Sequence, residues 1–129
     1  MIRVEGLNVT FHSGTPMETR ALRGLDLEVP SGQFVTVIGS NGAGKSTLLN
    51  ALAGEVVPQS GRVVINDEDV TRWSAPRRSA LVARVFQDPL AGTCESLTIE
   101  ENLSLAAARG RRRGLRLAID RYAREEFRA

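Results

Sequence analysis

The chain has 129 residues, of which 42% are hydrophobic, 25% charged and 5% aromatic, and 17 basic side chains stand against 15 acidic ones. This is material for one domain with a real core, and it excludes a disordered chain, a collagen-like repeat and a disulfide-rich miniprotein. Cys94 is the sole cysteine, no run approaches the ~18 apolar residues of a membrane span, and the first residues lack an apolar leader, so the cytoplasm is the expected compartment.

Ile2 to Val4 and Leu7 to Phe11 alternate apolar and polar about Gly6, which predicts a half-buried strand. Ser13 to Thr19, with Gly14 and Pro16, is a loop. Leu25 to Val29 alternates again and ends at the turn Pro30-Ser31-Gly32, so these pieces predict antiparallel strands with one wet face. Phe34 to Ile38 is nearly continuous and β-branched, the pattern of a strand buried on both faces in a parallel sheet. A glycine-rich stretch follows, then a helix over Ser46 to Ala53 with Leu48, Leu49 and Leu52 at helical spacing and Gly54 as its C-terminal cap. Gly61 to Ile65 predicts a strand and Asn66-Asp67 a turn. Leu81 to Phe86 predicts a further apolar strand, and Ala91 to Ser96 a loop. Thr98 and Glu101 fit a capping box opening a helix that runs to about Arg109. Gly110 to Gly114 is a basic linker, and Leu115 onward is expected to be helical.

One motif carries chemistry. Gly39-Ser40-Asn41-Gly42-Ala43-Gly44-Lys45-Ser46-Thr47 fits G-x-x-x-x-G-K-[ST] at every fixed position. A triphosphate needs many donors aimed at one small volume. Backbone N–H groups supply them where glycines permit a close wrap, and the next helix adds free N–H groups and the positive end of its dipole. Lys45 would reach the β- and γ-phosphates, Ser46 would place its hydroxyl on Mg²⁺, and Thr47 would bond a phosphate oxygen. The dinucleotide pattern G-x-G-x-x-G is not matched here.

Charge is uneven. Met1 to Val70 holds five basic and eight acidic residues, and the remainder twelve and seven. The basic half suits contact with nucleic acid, anionic lipid or an acidic partner, or simply a solvated face. All the cations are arginine except Lys45, so arginine is the routine surface cation here.

Beyond the phosphate loop, Ser31-Gly32-Gln33-Phe34, the spaced Ala53-Gly54, Pro58 and Ser60-Gly61, the stretch Val85-Phe86-Gln87-Asp88-Pro89, and Leu97-Thr98-Ile99-Glu100-Glu101-Asn102-Leu103 all resemble the ATP-binding protein of ABC transporters, over essentially the whole chain. Locally the resemblance is nearest to the ATPases of poorly characterised importers discussed with amino-acid-type binding proteins. It implies an α/β P-loop NTPase fold of the ABC ATPase type. An N-terminal antiparallel β part would join the start of a parallel core over 1–90, and the start of a helical subdomain would occupy 91–129. It further implies ATP and Mg²⁺ as ligands and a peripheral place on the cytoplasmic face of the membrane. The implied partners are a transmembrane permease and a second ATP-binding subunit. Gln87 resembles the glutamine that contacts Mg²⁺ and the attacking water, and Phe11 the aromatic that stacks on adenine, with His12 as its neighbour.

The resemblance is partial. The chain carries no leucine-serine-glycine-glycine-glutamine signature, no Walker B strand ending in aspartate-glutamate and no switch histidine. Leu115 to Asp120 imitates the Walker B strand, but Arg116 interrupts it and Arg121 stands where the glutamate would. Such a stretch is expected to be a truncated part of the domain, to bind ATP and to hydrolyse it negligibly by itself. The alternatives are a nucleic-acid-associated P-loop ATPase and a non-hydrolysing nucleotide-binding module. The cluster Arg109, Arg111, Arg112, Arg113 and Arg116 suggests the first, but it lacks the interleaved aromatics of a base-stacking surface, and nucleic acid is not the expected partner.

Overall fold

A computed structural model describes residues 1–108. The chain divides into two compact units, one spanning Met1–Val82 and the other beginning at Ala83.

The first unit is built on strands β1 (Ile2–Phe11), β2 (Thr19–Val29), β3 (Ser60–Ile65) and β4 (Glu68–Asp69), in the spatial order β2-β1-β3-β4 with every pair antiparallel. Ile2 stands opposite Val29 on one side and Ile65 on the other. β1 buries Val4, Leu7 and Val9, which strict alternation would not allow, since Val4 and Leu7 differ in parity. The register shifts between Val4 and Leu7 against β2 and between Glu5 and Asn8 against β3. Gly6, at φ +54°, takes up the extra residue of this bulge, which returns both side chains to the core face. Gly61 of β3 faces the bulge: a Cβ there would lie 2.5 Å from the Gly6 carbonyl oxygen and 2.6 Å from that of Glu5, so only glycine fits. Asn66 and Asp67 both have positive φ and form the two-residue hairpin between β3 and β4.

Helix α1 (Lys45–Ala53) lays Leu48 and Ala51 on this sheet, in one core with Leu22, Val63, Ile65 and Val70. Leu52 packs at its edge, whereas Leu49, spaced to match, faces solvent. Gly54, at φ +84°, ends the helix by donating its N–H back to Asn50 and Ala51. A four-residue helix, α2 (Ala75–Arg78), follows β4, where the sequence offered no periodicity to read.

In the second unit, a 3₁₀ turn at Pro89–Gly92 precedes α3 (Ile99–Ala107). The turn, which runs into the expected loop of Ala91 to Ser96, is capped by Asp88 Oδ1, which accepts from the Leu90 N–H at 3.0 Å. The capping box forms as predicted. Thr98 Oγ1 accepts from the Glu101 N–H at 3.3 Å, and Glu101 Oε2 accepts from the Thr98 N–H at 2.8 Å. The helix expected from Leu115 and the arginine cluster lie outside the described residues.

Two expected strands are not formed. Phe34 to Ile38 pairs with nothing among the described residues, leaving Phe34 94% and Ile38 88% exposed. Leu81 to Phe86 likewise has no ladder. Leu81 and Val82 donate their N–H groups back to the Arg78 carbonyl at 2.9 and 3.0 Å, and Val85 is 95% exposed. A parallel strand exists only through neighbours that satisfy its N–H and C=O groups. The apolar runs are there, and the strands that would pair with them are not among the described residues.

Candidate functional site

The phosphate-loop residues follow the exposed segment and open α1. Gly42 and Gly44 take φ +83° and +88°, the left-handed region that glycine enters freely. Gly44 is also needed for space, since a Cβ there would come within 2.6 Å of the Ala21 carbonyl oxygen and 3.1 Å of a Leu22 methyl. This close approach seats the loop against β2. The Ala43 N–H closes a turn onto the Ser40 carbonyl at 3.2 Å, and the Leu48 N–H makes a helical bond to Gly44 at 2.9 Å. Gly44 is the N-cap, so no side chain caps α1, and no acidic residue sits in its first turn. The N–H groups and positive dipole end that a helix start ordinarily shares with a Ser or Asp cap therefore remain open to an outside anion.

Lys45 folds back over this loop, its Nζ donating to the carbonyl oxygens of Gly39 and Ser40, both at 2.7 Å. Asn41 and Ser46 are exposed, and Thr47 is partly buried. A hydroxyl at the first helical turn is the hard oxygen donor that Mg²⁺ accepts alongside phosphate oxygens and waters, so Ser46 suits that ion. No group of three or more acidic, histidine or cysteine side chains assembles a separate metal site among the described residues.

Phe11, the last residue of β1, stands opposite Thr19 of β2 and is partly exposed. Gly44 meets β2 at Ala21 and Leu22, so Phe11 lies about three residues, roughly 10 Å, along the sheet from the loop's contact. His12 follows at φ +51° and accepts the Thr15 N–H at its carbonyl. Gln59 fixes this strand end. Its Oε1 accepts from the Thr10 N–H and its Nε2 donates to the Thr10 carbonyl, both at 2.8 Å, so a side-chain amide pairs with β1 as a neighbouring strand would.

The first unit thus brings Gly39 to Thr47 and Phe11 into one framework. Gln87 belongs to the second unit, exposed between Phe86 and the 3₁₀ turn. There the Arg84 guanidinium lies 4.6 Å from the Phe86 ring centre. Two residues of structural weight escape sequence reading. Gln59 looks like ordinary turn polarity, and Arg78 like one more surface arginine, yet Arg78 is buried. The one hint for Arg78 is its neighbour Gly54, whose missing side chain leaves the guanidinium room.

Comparison with known proteins shows the family. The family model described as ABC transporter matches residues 22–129. The tyrosine transport ATP-binding protein of Clostridioides difficile is 39% identical over 111 residues, covering 86% of this chain and 44% of that protein. The energy-coupling factor transporter ATP-binding protein EcfA2 of Acetivibrio thermocellus is 42% identical over 88 residues, covering 68% of this chain and 31% of that protein. Among solved structures, the dimeric MJ0796 cassette superposes with a TM-score of 0.77 at 25% identity, covering 97% of this chain and 53% of that one. The ADP form of the MJ1267 cassette gives 0.68 at 30% identity, covering 83% and 40%. The chain therefore spans about half or less of the proteins it matches.

Proposed function

The chain belongs to the ABC transporter family, and from that premise we propose that Gly39 to Thr47 bind the phosphates of Mg-ATP, as part of an ATPase subunit that drives solute across a membrane. The observation that carries this reading is the uncapped start of α1 behind Gly42 and Gly44, with Lys45 held at its mouth by two backbone carbonyls. An incoming phosphate would take the ammonium from Gly39 and Ser40 and accept the amides of the loop. Ser46 would contribute a hydroxyl to Mg²⁺, which neutralises phosphate charge, and Thr47 a bond to phosphate oxygen. Phe11 offers a ring face for adenine. Gln87, in the second unit, resembles the family glutamine that contacts the metal and the attacking water.

Positioning and charge stabilisation carry phosphoryl transfer. The groups that hold nucleotide are in this stretch. A Walker B carboxylate pair and a signature sequence are not, so we infer that these residues alone bind ATP with negligible turnover. A second ATP-binding subunit and a membrane permease are the partners of the reading, which places the protein on the inner face of a membrane. No helix among the described residues is long and apolar enough to cross one. Relatives named for tyrosine transport, lipoprotein release and macrolide export all match within this stretch. It therefore carries their common nucleotide chemistry rather than the choice of solute.

Titration of the full-length protein with a fluorescent ATP analogue and Mg²⁺ tests the reading. Lys45→Ala is expected to lower ATPase activity by about a hundredfold or more, with the fold unchanged. Activity and affinity equal to the unaltered protein would refute it.

A further inference from the structure

Arg78 is the one buried cation among the described residues, 1% exposed. All its bonds go to backbone carbonyls. Nη1 donates to Ala51 and, at 3.0 Å, to Leu52. Nη2 donates to Val70 and, at 3.2 and 3.4 Å, to Thr71 and Trp73. Ala51 and Leu52 belong to the last turn of α1, where the helix leaves carbonyls short of partners; the Ala51 carbonyl accepts the Gly54 N–H as well as the guanidinium, and a cation there complements the dipole. Val70 and Thr71 are tied to the sheet, through the Val70 N–H on the Val63 carbonyl at 2.9 Å and the Val63 N–H on Thr71 Oγ1 at 2.8 Å. Gly54 makes room for the guanidinium: a Cβ there would sit 3.1 Å from Arg78 Nε and 3.2 Å from the Trp73 carbonyl oxygen.

Packing alone does not explain an arginine here. An apolar side chain of similar volume would fill the space without the cost of desolvating a charge. What the planar guanidinium adds is a set of fixed directions, joining one helix end to two points of the sheet edge. The other end of α1 is the phosphate loop, only nine residues, or about 13 Å, away.

We propose that Arg78 is a positioning residue of the nucleotide site. By clamping the C-terminal carbonyls of α1 to the segment after β4, it sets the direction in which Gly44, Lys45 and the first helical amides present their donors. The proposal rests on the reading that this loop binds nucleotide.

The test compares Mg-ATP affinity in the full-length protein carrying Arg78→Met, Arg78→Lys or, as a control for lost stability, the core substitution Val4→Ala. Arg78→Met is expected to weaken affinity about tenfold at temperatures where circular dichroism reports an intact fold, since misplacement by a fraction of an ångström is enough. Arg78→Lys, which keeps the charge and some of the bonds, should recover part of the loss. Val4→Ala should lower the melting temperature at least as far while holding affinity within about twofold. Unchanged affinity in Arg78→Met, or an equal loss in Val4→Ala, would overturn the proposal. Should Arg78→Met fail to fold, Arg78→Lys decides: a loss beyond that of Val4→Ala supports the proposal, and parity overturns it. Failure of the unaltered protein to bind would overturn both this proposal and the reading beneath it, whereas equal binding by the unaltered and Arg78→Met proteins overturns this proposal alone.

Discussion

Lys45 and Gln59 each hold backbone carbonyls, and they differ in how openly the sequence declares them. Lys45 is legible because the motif around it has the form that the proposed phosphate binding demands, and because it is the lone lysine among arginines. Gln59 is illegible because its task depends on Thr10, far away in sequence, having an open side for an amide to fill. Gln59→Ala removes both bonds and leaves the Thr10 groups to water. It is expected to cost about 1 kcal/mol in denaturant unfolding, and to speed hydrogen exchange at the Thr10 amide. Unchanged exchange there would mean that the amide pair is incidental. Arg78 was hidden for a related reason: composition marks arginine as a surface residue here, and only the packing of α1 against the segment after β4 reveals a buried one.

Among the elements, local signals translated best. The capping box of α3, the glycine cap of α1 and the Asn66-Asp67 turn are each written within a few residues and formed as read. Asn102 is subtler. Its side-chain amide bonds the Cys94, Leu97 and Thr98 carbonyls and accepts from the Cys94 N–H, folding the preceding loop onto α3, a role that spacing alone does not disclose. Glu101 makes the box pH-sensitive. Bonds from the Thr98 N–H and then the Thr98 hydroxyl hold its carboxyl below the ordinary glutamate range. A group lowered in the folded state stabilises fully above its unfolded pKa, and that contribution fades as pH falls through the folded value. The start of α3 is thus expected to loosen only at a pH below the ordinary glutamate range, seen as faster exchange at the Thr98 and Glu101 amides. Glu101→Gln, which can still occupy the box, should remove this step. Asp69, lowered by the Thr71 hydroxyl and amide, and Glu18, lowered by the Gly14 amide and then Arg20, titrate in the same direction elsewhere, so residue-resolved data are needed to separate them.

At the scale of the whole molecule, the sequence identifies which segments are apolar enough for a parallel core, and the structure reveals that apolarity alone does not make a strand. Phe34 to Ile38 and Leu81 to Phe86 carry the right residues, but pairing is collective and no neighbour for them lies within the described residues. An isolated 129-residue protein is therefore expected to bind a hydrophobic dye and to self-associate with rising concentration. Phe34→Ser together with Ile38→Ser should reduce both, as sedimentation would report. A monomer that leaves the dye dark would contradict the exposure of these side chains.

The pairing of β1 with β3 sets an order on synthesis. Ile2 leaves the ribosome early and finds Val29 soon afterwards, but its other neighbour, Ile65, is made some sixty residues later, a delay of about 3–12 seconds at typical rates. Until then one side of β1 is an unprotected ladder edge, and the Gly6 bulge together with the Glu5 carboxylate on that edge limits what else can add to it. The sheet closes only once β3 emerges, and by then the residues of the phosphate loop have already been made. The cradle must therefore wait for its foundation, and on the proposed reading a nucleotide reaching the nascent chain before β3 would meet the right sequence in the absence of the wall that gives it shape.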